Sequence, residues 1–319
     1  PIGMDEHPMF SSMINQAHAL VIIEKILASD ESPIKALIAA GGAPIPELAN
    51  SNRVKEAFNR IEFKAVIDLF MTPTAREADL VLPAACFLER DEIGTMPVNR
   101  QRKAVESEGQ LADWEIWLRL ARHLGYDKYF PWQDFEAAAD FLLQSAGLSC
   151  AALDEHPGGI ANEIPPGSFL QNGFYTYSGK IELYSNSLAS AGYDPLPAFV
   201  EPMESPVSTP DLARDYPLVL TTGARQPMFL HSQHRTIASL RKLFPEPYIE
   251  INPDTARQYG IGNGEQAQVS SPRGRLQMKV KITDGIPTGI VHIPHGWPDT
   301  DCNLLTDHAK RDPISGFPG

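Results

Sequence analysis

Residues 221–244, TTGARQPMFLHSQHRTIASLRKLF, hold the densest set of anion-binding groups in the chain. Arg225, Arg235, Arg241 and Lys242 supply positive charge, His231 and His234 supply imidazoles, and no Asp or Glu interrupts them. With 40 acids in 319 residues, about three would be expected in a stretch of this length. A basic segment in a chain of net charge −13 points to local anion binding. Thr221 and Thr222 add hydroxyls, and Gly223 lets backbone approach a ligand closely. His231, Ser232 and Gln233 place three different hydrogen-bonding side chains in a row. The same pattern also fits a solvated loop followed by a basic helix.

A second acid-free stretch, 266–283, carries Arg273, Arg275, Lys279 and Lys281. Strand alternation puts Arg275, Lys279 and Lys281 on one face, which reads as the solvent face of a barrel strand. Asp68 ends an apolar run, with Thr72 and Thr74 just after it. In open α/β sheets, ligands sit beyond the carboxyl ends of strands. A carboxylate there accepts from a ribose hydroxyl or a guanine N–H edge, or it caps the turn that follows. No G-x-G-x-x-G, P-loop, H-E-x-x-H or G-x-S-x-G is present. Cys86, Cys150 and Cys302 form no C-x-x-C, so neither a zinc ribbon nor an iron–sulfur run is expected. The residues alone indicate an anion or nucleotide binder with no visible nucleophile.

The elements that must position these groups follow from composition and period. Hydrophobic residues make up 43% and charged residues 21%, an ordinary globular mix. Twenty-seven Lys and Arg against 40 Asp and Glu argue against a general nucleic-acid binder or an anionic-membrane dock. No apolar run approaches the ~20 residues of a bilayer span, and no signal peptide is expected within the chain. The length predicts two domains. Helical spacing runs over 13–27, 50–59, 108–124 and 134–146, with Asn50 or Ser51 as a cap. Short apolar runs at 35–40, 64–69 and 79–84 alternate with them, which predicts a parallel sheet covered on both faces. Residues 151–210 are proline-punctuated and read as a connector. Beyond it, strands are expected at 218–222, 248–251, 266–271, 275–282 and 289–293, with an SPRG turn at 271–274. A short helix capped by Asn252 and closed by Gly260 interrupts them. Many short strands with one small helix suggest a compact β-barrel. The chain starts at Pro1 and reads as a piece of something longer.

Four stretches in order resemble the molybdopterin oxidoreductases of the dimethyl-sulfoxide-reductase superfamily. They are VIDLFMTPTAREADLVLP (66–83), DWEIWLRLARHLG (113–125), FYTYSGKIELYSNSLASAGYDPLPAF (174–199) and 216–297 with its TTGAR, HSQHR and HGW. NLLT (303–306) and DPISG (312–316) resemble the family's closing motif. The wording is most similar to thiosulfate/polysulfide reductase and acetylene-hydratase-like members. The resemblance covers nearly the whole chain and implies the C-terminal half of such a large subunit. It implies a Rossmann-like α/β domain over 1–150, the connector over 151–210, and a six-stranded double-psi-type β-barrel domain over 211–319. The cofactor implied is bis-molybdopterin guanine dinucleotide carrying molybdenum or tungsten. By carry-over, Thr222, Gly223, Arg225, His231, Ser232, Gln233 and Asn303 would contact pterin or phosphate. Asp68 and Thr72 would lie near a guanine, with Asp113 a further candidate.

The departures also count. The family's cluster-binding cysteines and the stretch supplying the metal's own ligand are absent, so neither a catalytic residue nor a metal ligand is assigned here. Where the family often has Gly-x-Asn-Pro, this chain has Gly41, Gly42, Ala43 and Pro44. The expectation is therefore a cofactor-holding part of an enzyme performing two-electron or oxygen- or sulfur-atom transfer, inactive and cofactor-free by itself. Its partners would be the missing N-terminal half, which could hold a [4Fe-4S] cluster, an iron–sulfur electron-transfer subunit and a membrane anchor. The alternative is a non-catalytic nucleotide- or anion-binding module or an assembly subunit. The compartment is left open.

Overall fold

Three apolar runs pair side by side in the computed structural model, which describes residues 1–28, 34–161, 165–223 and 226–318. Strands β1 (Ala36–Ala40), β2 (Phe63–Asp68) and β3 (Leu80–Pro83) form a parallel sheet in the order β1-β2-β3. Ahead of and between them lie α1 (Pro8–Ile14), α2 (Ala19–Leu27), α3 (Pro44–Glu47), α4 (Ser51–Asn59) and α5 (Pro73–Arg76). Register aligns Ala39, Val66 and Val81 in one row. That row packs with Leu37 on Ile45, Val54, Phe58 and Ala75. Burying each large apolar side chain contributes ~1.5–3 kcal/mol, so this face holds α3, α4 and α5 in place.

The opposite face is covered only toward the carboxyl ends. There Ile67 and Leu82 pack on Leu111 and on Ile116 of α6 (Asp113–His123). In the row Ile38, Ala65 and Leu80, the outer two remain 40% and 43% exposed. The expected two-sided cover is thus complete on one face and partial on the other.

Two helix boundaries differ from the sequence expectation. The continuous 13–27 periodicity breaks because Asn15 turns left-handed (φ 54°) to close α1, and α2 starts only after His18. The break buries His18 completely against His7, Phe10 and Phe317. The helix expected over 108–124 begins at Asp113, because Leu111 bridges Ala84 in parallel and extends the sheet edge. Asn50 caps α4 by accepting from the Arg53 N–H.

A hairpin that periodicity did not reveal follows β3. Its strands β4 (Glu92–Thr95) and β5 (Val98–Gln101) are antiparallel. They pack through Ile93 and Val98 on α7 (Phe135–Leu143) and α8 (Cys150–Asp154). The proline-rich region carries only the short helices α9 (Phe169–Asn172), α10 (Asn186–Ser190) and α11 (Pro210–Asp215). It is tied down at Glu204, which pairs with Arg273.

The last part is a five-stranded mixed sheet among the described residues, one strand fewer than the barrel the resemblance implies. It runs β6-β10-β7-β9-β8, from β6 (Val219–Thr221), β7 (Ile249–Ile251), β8 (Gln266–Ser271), β9 (Gly274–Ile282) and β10 (Ile290–His292). Its core is Ile249, Ile251, Met278, Val280, Val291 and Ile293. The short helix α12 (Ala238–Arg241) precedes β7, and α13 (Pro253–Tyr259) follows it. Asn252 caps α13 and left-handed Gly260 closes it, as the sequence predicts. Leu276, Met278 and Val280 alternate inward from Arg275, Lys279 and Lys281. The two lysines pair with Glu246 and Glu250, so this stretch is a solvent face.

Candidate functional site

Parallel pairing decides where the polar residues meet. β6 and β10 run side by side with Thr221 opposite His292, and the Ile293 N–H donates to the Thr221 carbonyl at 3.0 Å. Both strands therefore leave the sheet at the same edge. That edge receives Thr222 and Gly223 from one strand and His295 and Gly296 from the other.

The loop after β6 lies across this edge. His295 Nδ1 is 2.8 Å from the Thr222 carbonyl oxygen, and its Nε2 is 2.7 Å from His231 Nδ1. Gly296 is left-handed (φ 82°), and a Cβ there would stand 2.7 Å from the His231 carbonyl carbon. Only a glycine lets the two segments approach so closely. His231 and His234 themselves take positive φ, 54° and 70°, which is uncommon outside glycine. The tight turn leaves His231, Ser232 and Gln233 exposed at the edge.

Beneath the loop, Arg235 is buried to 9% exposure, and its Nε donates to the Ser232 carbonyl at 3.1 Å. Its guanidinium stacks 4.9 Å from the Trp297 ring, and that of Arg241 stands 5.2 Å from the same ring. Burial, and next the Arg241 charge, push the Arg235 guanidinium down to about 10, with Asp299 opposing. It therefore stays charged near neutral pH. Among the described residues neither arginine forms an ion pair with a carboxylate.

A second cluster forms at the carboxyl edge of the parallel sheet. Asp68 ends β2, and its Oδ1 accepts from the Phe70 N–H at 3.1 Å. Thr72, not Asp68, caps α5, through the Ala75 N–H at 3.2 Å. The Asp68 carbonyl accepts from Ala84, which bridges Leu111, two residues before Asp113. Asp113 accepts from Arg90 at 3.2 Å. Asp68, Thr72 and Asp113 thus share one sheet edge.

Asn303 links the first part of the chain to the last. It donates to the Pro46 carbonyl at 3.0 Å and accepts from Thr306, which joins the two sheets' domains. Arg225 lies outside the described residues. Sequence reasoning counted Arg235 among the basic groups and quoted HGW, but assigned no site role to Arg235, His295, Gly296 or Trp297.

The donor set can hold a polar, anionic, planar ligand. It offers hydroxyl, amide and imidazole groups above a buried cation that forms no ion pair with a carboxylate among the described residues. No group of three or more His, Cys, Asp or Glu among the described residues could hold a metal ion. Burial pushes the Cys150 thiol up to about 11 and the Cys302 thiol up to about 12, so both stay protonated and inert.

Comparison with known proteins covers both parts of the chain. Residues 11–123 match the family model described as Molybdopterin oxidoreductase, and residues 218–319 match the Molydopterin dinucleotide binding domain. The chain is 32% identical over 313 residues to acetylene hydratase of Syntrophotalea acetylenica, covering 90% of this chain and 42% of that protein. It is 32% identical over 316 residues to the F420-dependent formate dehydrogenase subunit alpha of Methanocaldococcus jannaschii, covering 93% and 43%. It is 31% identical over 317 residues to the assimilatory nitrate reductase catalytic subunit of Bacillus subtilis, covering 94% and 42%. The solved acetylene hydratase from Pelobacter acetylenicus superposes with a TM-score of 0.83 at 26% identity, over 99% of this chain and 50% of that one. The chain thus spans less than half the length of these curated relatives. With one family domain carrying the parallel-sheet edge and the other carrying the loop between β6 and β10, the chain belongs to the molybdopterin oxidoreductases.

Proposed function

We propose that the chain is the C-terminal, cofactor-holding portion of a molybdenum or tungsten oxidoreductase, gripping bis-molybdopterin guanine dinucleotide at two sheet edges. In this reading the parallel-sheet domain is Rossmann-like and the five-stranded domain belongs to a double-psi-type barrel. Asp68, Thr72 and Asp113 would face the guanine. Thr222, Gly223, Arg225, His231, Ser232 and Gln233 would face pterin and phosphate. Asn303, which also ties Pro46 of α3 to the last part of the chain, would face the same groups.

One observation carries the reading. Parallel β6 and β10 deliver polar, acid-free backbone to a single edge above buried Arg235. When bound, the cofactor supplies two-electron or atom-transfer chemistry, while the protein supplies binding and electrostatics. The relatives bear the names of a hydratase, a dehydrogenase and a reductase. A portion shared among them is suited to serving the cofactor and not one substrate.

In the full-length protein, Arg225→Ala and His231→Ala are expected to lower metal and pterin content. Losing one charged hydrogen bond costs ~1.5–3 kcal/mol. Normal content in both variants overturns the assignment. The isolated chain, which offers no metal-ligand cluster among its described residues, is expected to purify without molybdenum or tungsten. Stoichiometric metal by elemental analysis would contradict that.

A further inference from the structure

Arg235 is a buried charge with an incomplete set of partners. A guanidinium carries N–H groups on Nε, Nη1 and Nη2 in a fixed fork. Here Nε donates to the Ser232 carbonyl at 3.1 Å. Among the described residues no acceptor meets Nη1 or Nη2, and no carboxylate pairs with the charge. The like charge of Arg241 opposes it more than Asp299, which is exposed, supports it.

The walls around this charge are aromatic. Trp297 is buried, lies 4.9 Å from the Arg235 guanidinium and packs on Phe229 and Phe244. Arg241 stands 5.2 Å from the same ring, but it is exposed and keeps its hydration. A ring face attracts a cation, yet by less than burial of an unpaired charge costs. Buried charges are normally paired or hold a ligand. Two cations against one buried ring, with the deeper one unpaired, therefore weaken the chain unless a negative group joins them.

We infer that Arg235 is an anion-binding residue: Nη1 and Nη2 take a phosphate oxyanion at the edge formed by β6 and β10, and the ligand's negative charge completes the ion pair that the chain leaves open. The position fits, because Arg235 lies directly beneath the turn that exposes His231, Ser232 and Gln233. The chemistry fits too, since a guanidinium fork matches two phosphate oxygens at once. The inference rests on the cofactor reading above and deepens it. Within a dinucleotide the pyrophosphate carries the fixed negative charge, so that group, and not the guanine, meets Arg235.

The test uses the full-length protein in two states, loaded and cofactor-free, the second produced in a host that makes no molybdopterin. Arg235→Gln removes the charge and keeps a side-chain N–H, whereas Arg235→Lys keeps the charge and loses the fork. Without cofactor, Arg235→Gln is expected to unfold at the wild-type urea midpoint or above it, because the unpaired charge is gone. With cofactor, it is expected to hold pterin and guanine nucleotide at least about tenfold more weakly. Arg235→Lys should fall between wild type and Arg235→Gln in retention. Millimolar inorganic pyrophosphate should raise the midpoint of the cofactor-free wild type and leave that of Arg235→Gln unmoved.

A residue that only braces Trp297 and the Ser232 turn behaves differently. Arg235→Gln then lowers the midpoint in both states, while the protein that does fold retains pterin normally. That result overturns the inference, as does a pyrophosphate response equal in wild type and variant. If Arg235→Gln does not fold, Arg235→Lys decides: wild-type retention of pterin and nucleotide overturns the inference, and weakened retention at a wild-type midpoint supports it. Wild-type protein that holds pterin, with a glutamine variant that holds as much, removes the anion site and leaves the cofactor reading standing. Wild-type protein that responds to pyrophosphate through Arg235 but holds no pterin removes the cofactor reading and leaves the anion site.

Discussion

At Asp68 two demands meet on one carboxylate. Its Oδ1 accepts from the Phe70 N–H, a bond that an Asn side chain makes equally well. Capping of α5 falls to Thr72, so Asp68 is free of that duty. Asp68→Asn is therefore expected to leave stability within ~0.5 kcal/mol. If the carboxylate reads the two donors on a guanine edge, the same change sets a donor against a donor. That costs ~1–3 kcal/mol, or roughly 5- to 150-fold in affinity. Denaturant unfolding together with guanine-dinucleotide retention in the full-length variant separates the two roles. Unchanged retention removes Asp68 from the site.

The hairpin of β8 and β9 shows how one element is held against another. Pro272 and Arg273 make its two-residue turn, with Ser271 opposite Gly274. Arg273 reaches both Glu204 and Asp307, with the latter at 3.1 Å, so the turn clamps the connector and the C-terminal segment together. Both acids are held below their usual range. For Glu204 the Arg273 hydrogen bond is the leading cause. For Asp307 burial pulls the other way and is outweighed by backbone N–H groups and Arg273. Gly274 sits where a Cβ would stand 2.5 Å from the Leu304 carbonyl oxygen. That oxygen is backbone and cannot swing aside. Gly274→Ala is expected to cost ~1–3 kcal/mol, as overpacking does. A lowered urea midpoint at constant slope would show it, and a wild-type midpoint would show that the 304 segment yields.

Across the whole molecule, the last residues close over the first helices. His18 Nε2 meets the Ser315 carbonyl at 3.0 Å, His7 Nδ1 meets that of Pro313 at 3.3 Å, and Phe317 packs on Phe10 and His18. Glu24 extends the contact, receiving Arg53 through two bonds and His308 at 3.2 Å. Burial pulls His18 below its ordinary 6.5, against the opposing Ser315 bond. His308 is lowered too, again mainly by burial. For such groups the unfolded state binds the proton first, so stability rises with pH through this window. Their contribution is complete above about 6.5 and is lost as pH falls through the lower folded values. Amide exchange at Gly316 and Phe317, corrected for intrinsic rate, is expected to accelerate between about pH 7 and pH 5. His18→Gln should flatten that dependence, leaving the His308 part. Asp312, held low mainly by the Ser315 N–H, acts only at more acidic pH. An unchanged slope in the variant would assign the effect elsewhere.

Period and capping made most elements legible before any coordinates. The β8 strand, the α13 helix with Asn252 and Gly260 at its ends, and the order of strands and helices through β3 all follow from local rules, because capping bonds and side-chain alternation act within a few residues. The acid-free run containing His231, Ser232 and Gln233 was legible for the same reason, since charge can be counted along a chain. The hairpin of β4 and β5, the late start of α6 and the break at Asn15 were not legible, because distant partners decide them: the α7 core, the Ala84 edge and the His18 pocket. Asn303 also donates to Pro46, 257 residues away, a partner that no local rule could show. His295 stood in the HGW stretch, but nothing local tied it to His231. It joins His231 only because two strands 71 residues apart run parallel and end at one edge, and strand pairing is a property of the folded sheet.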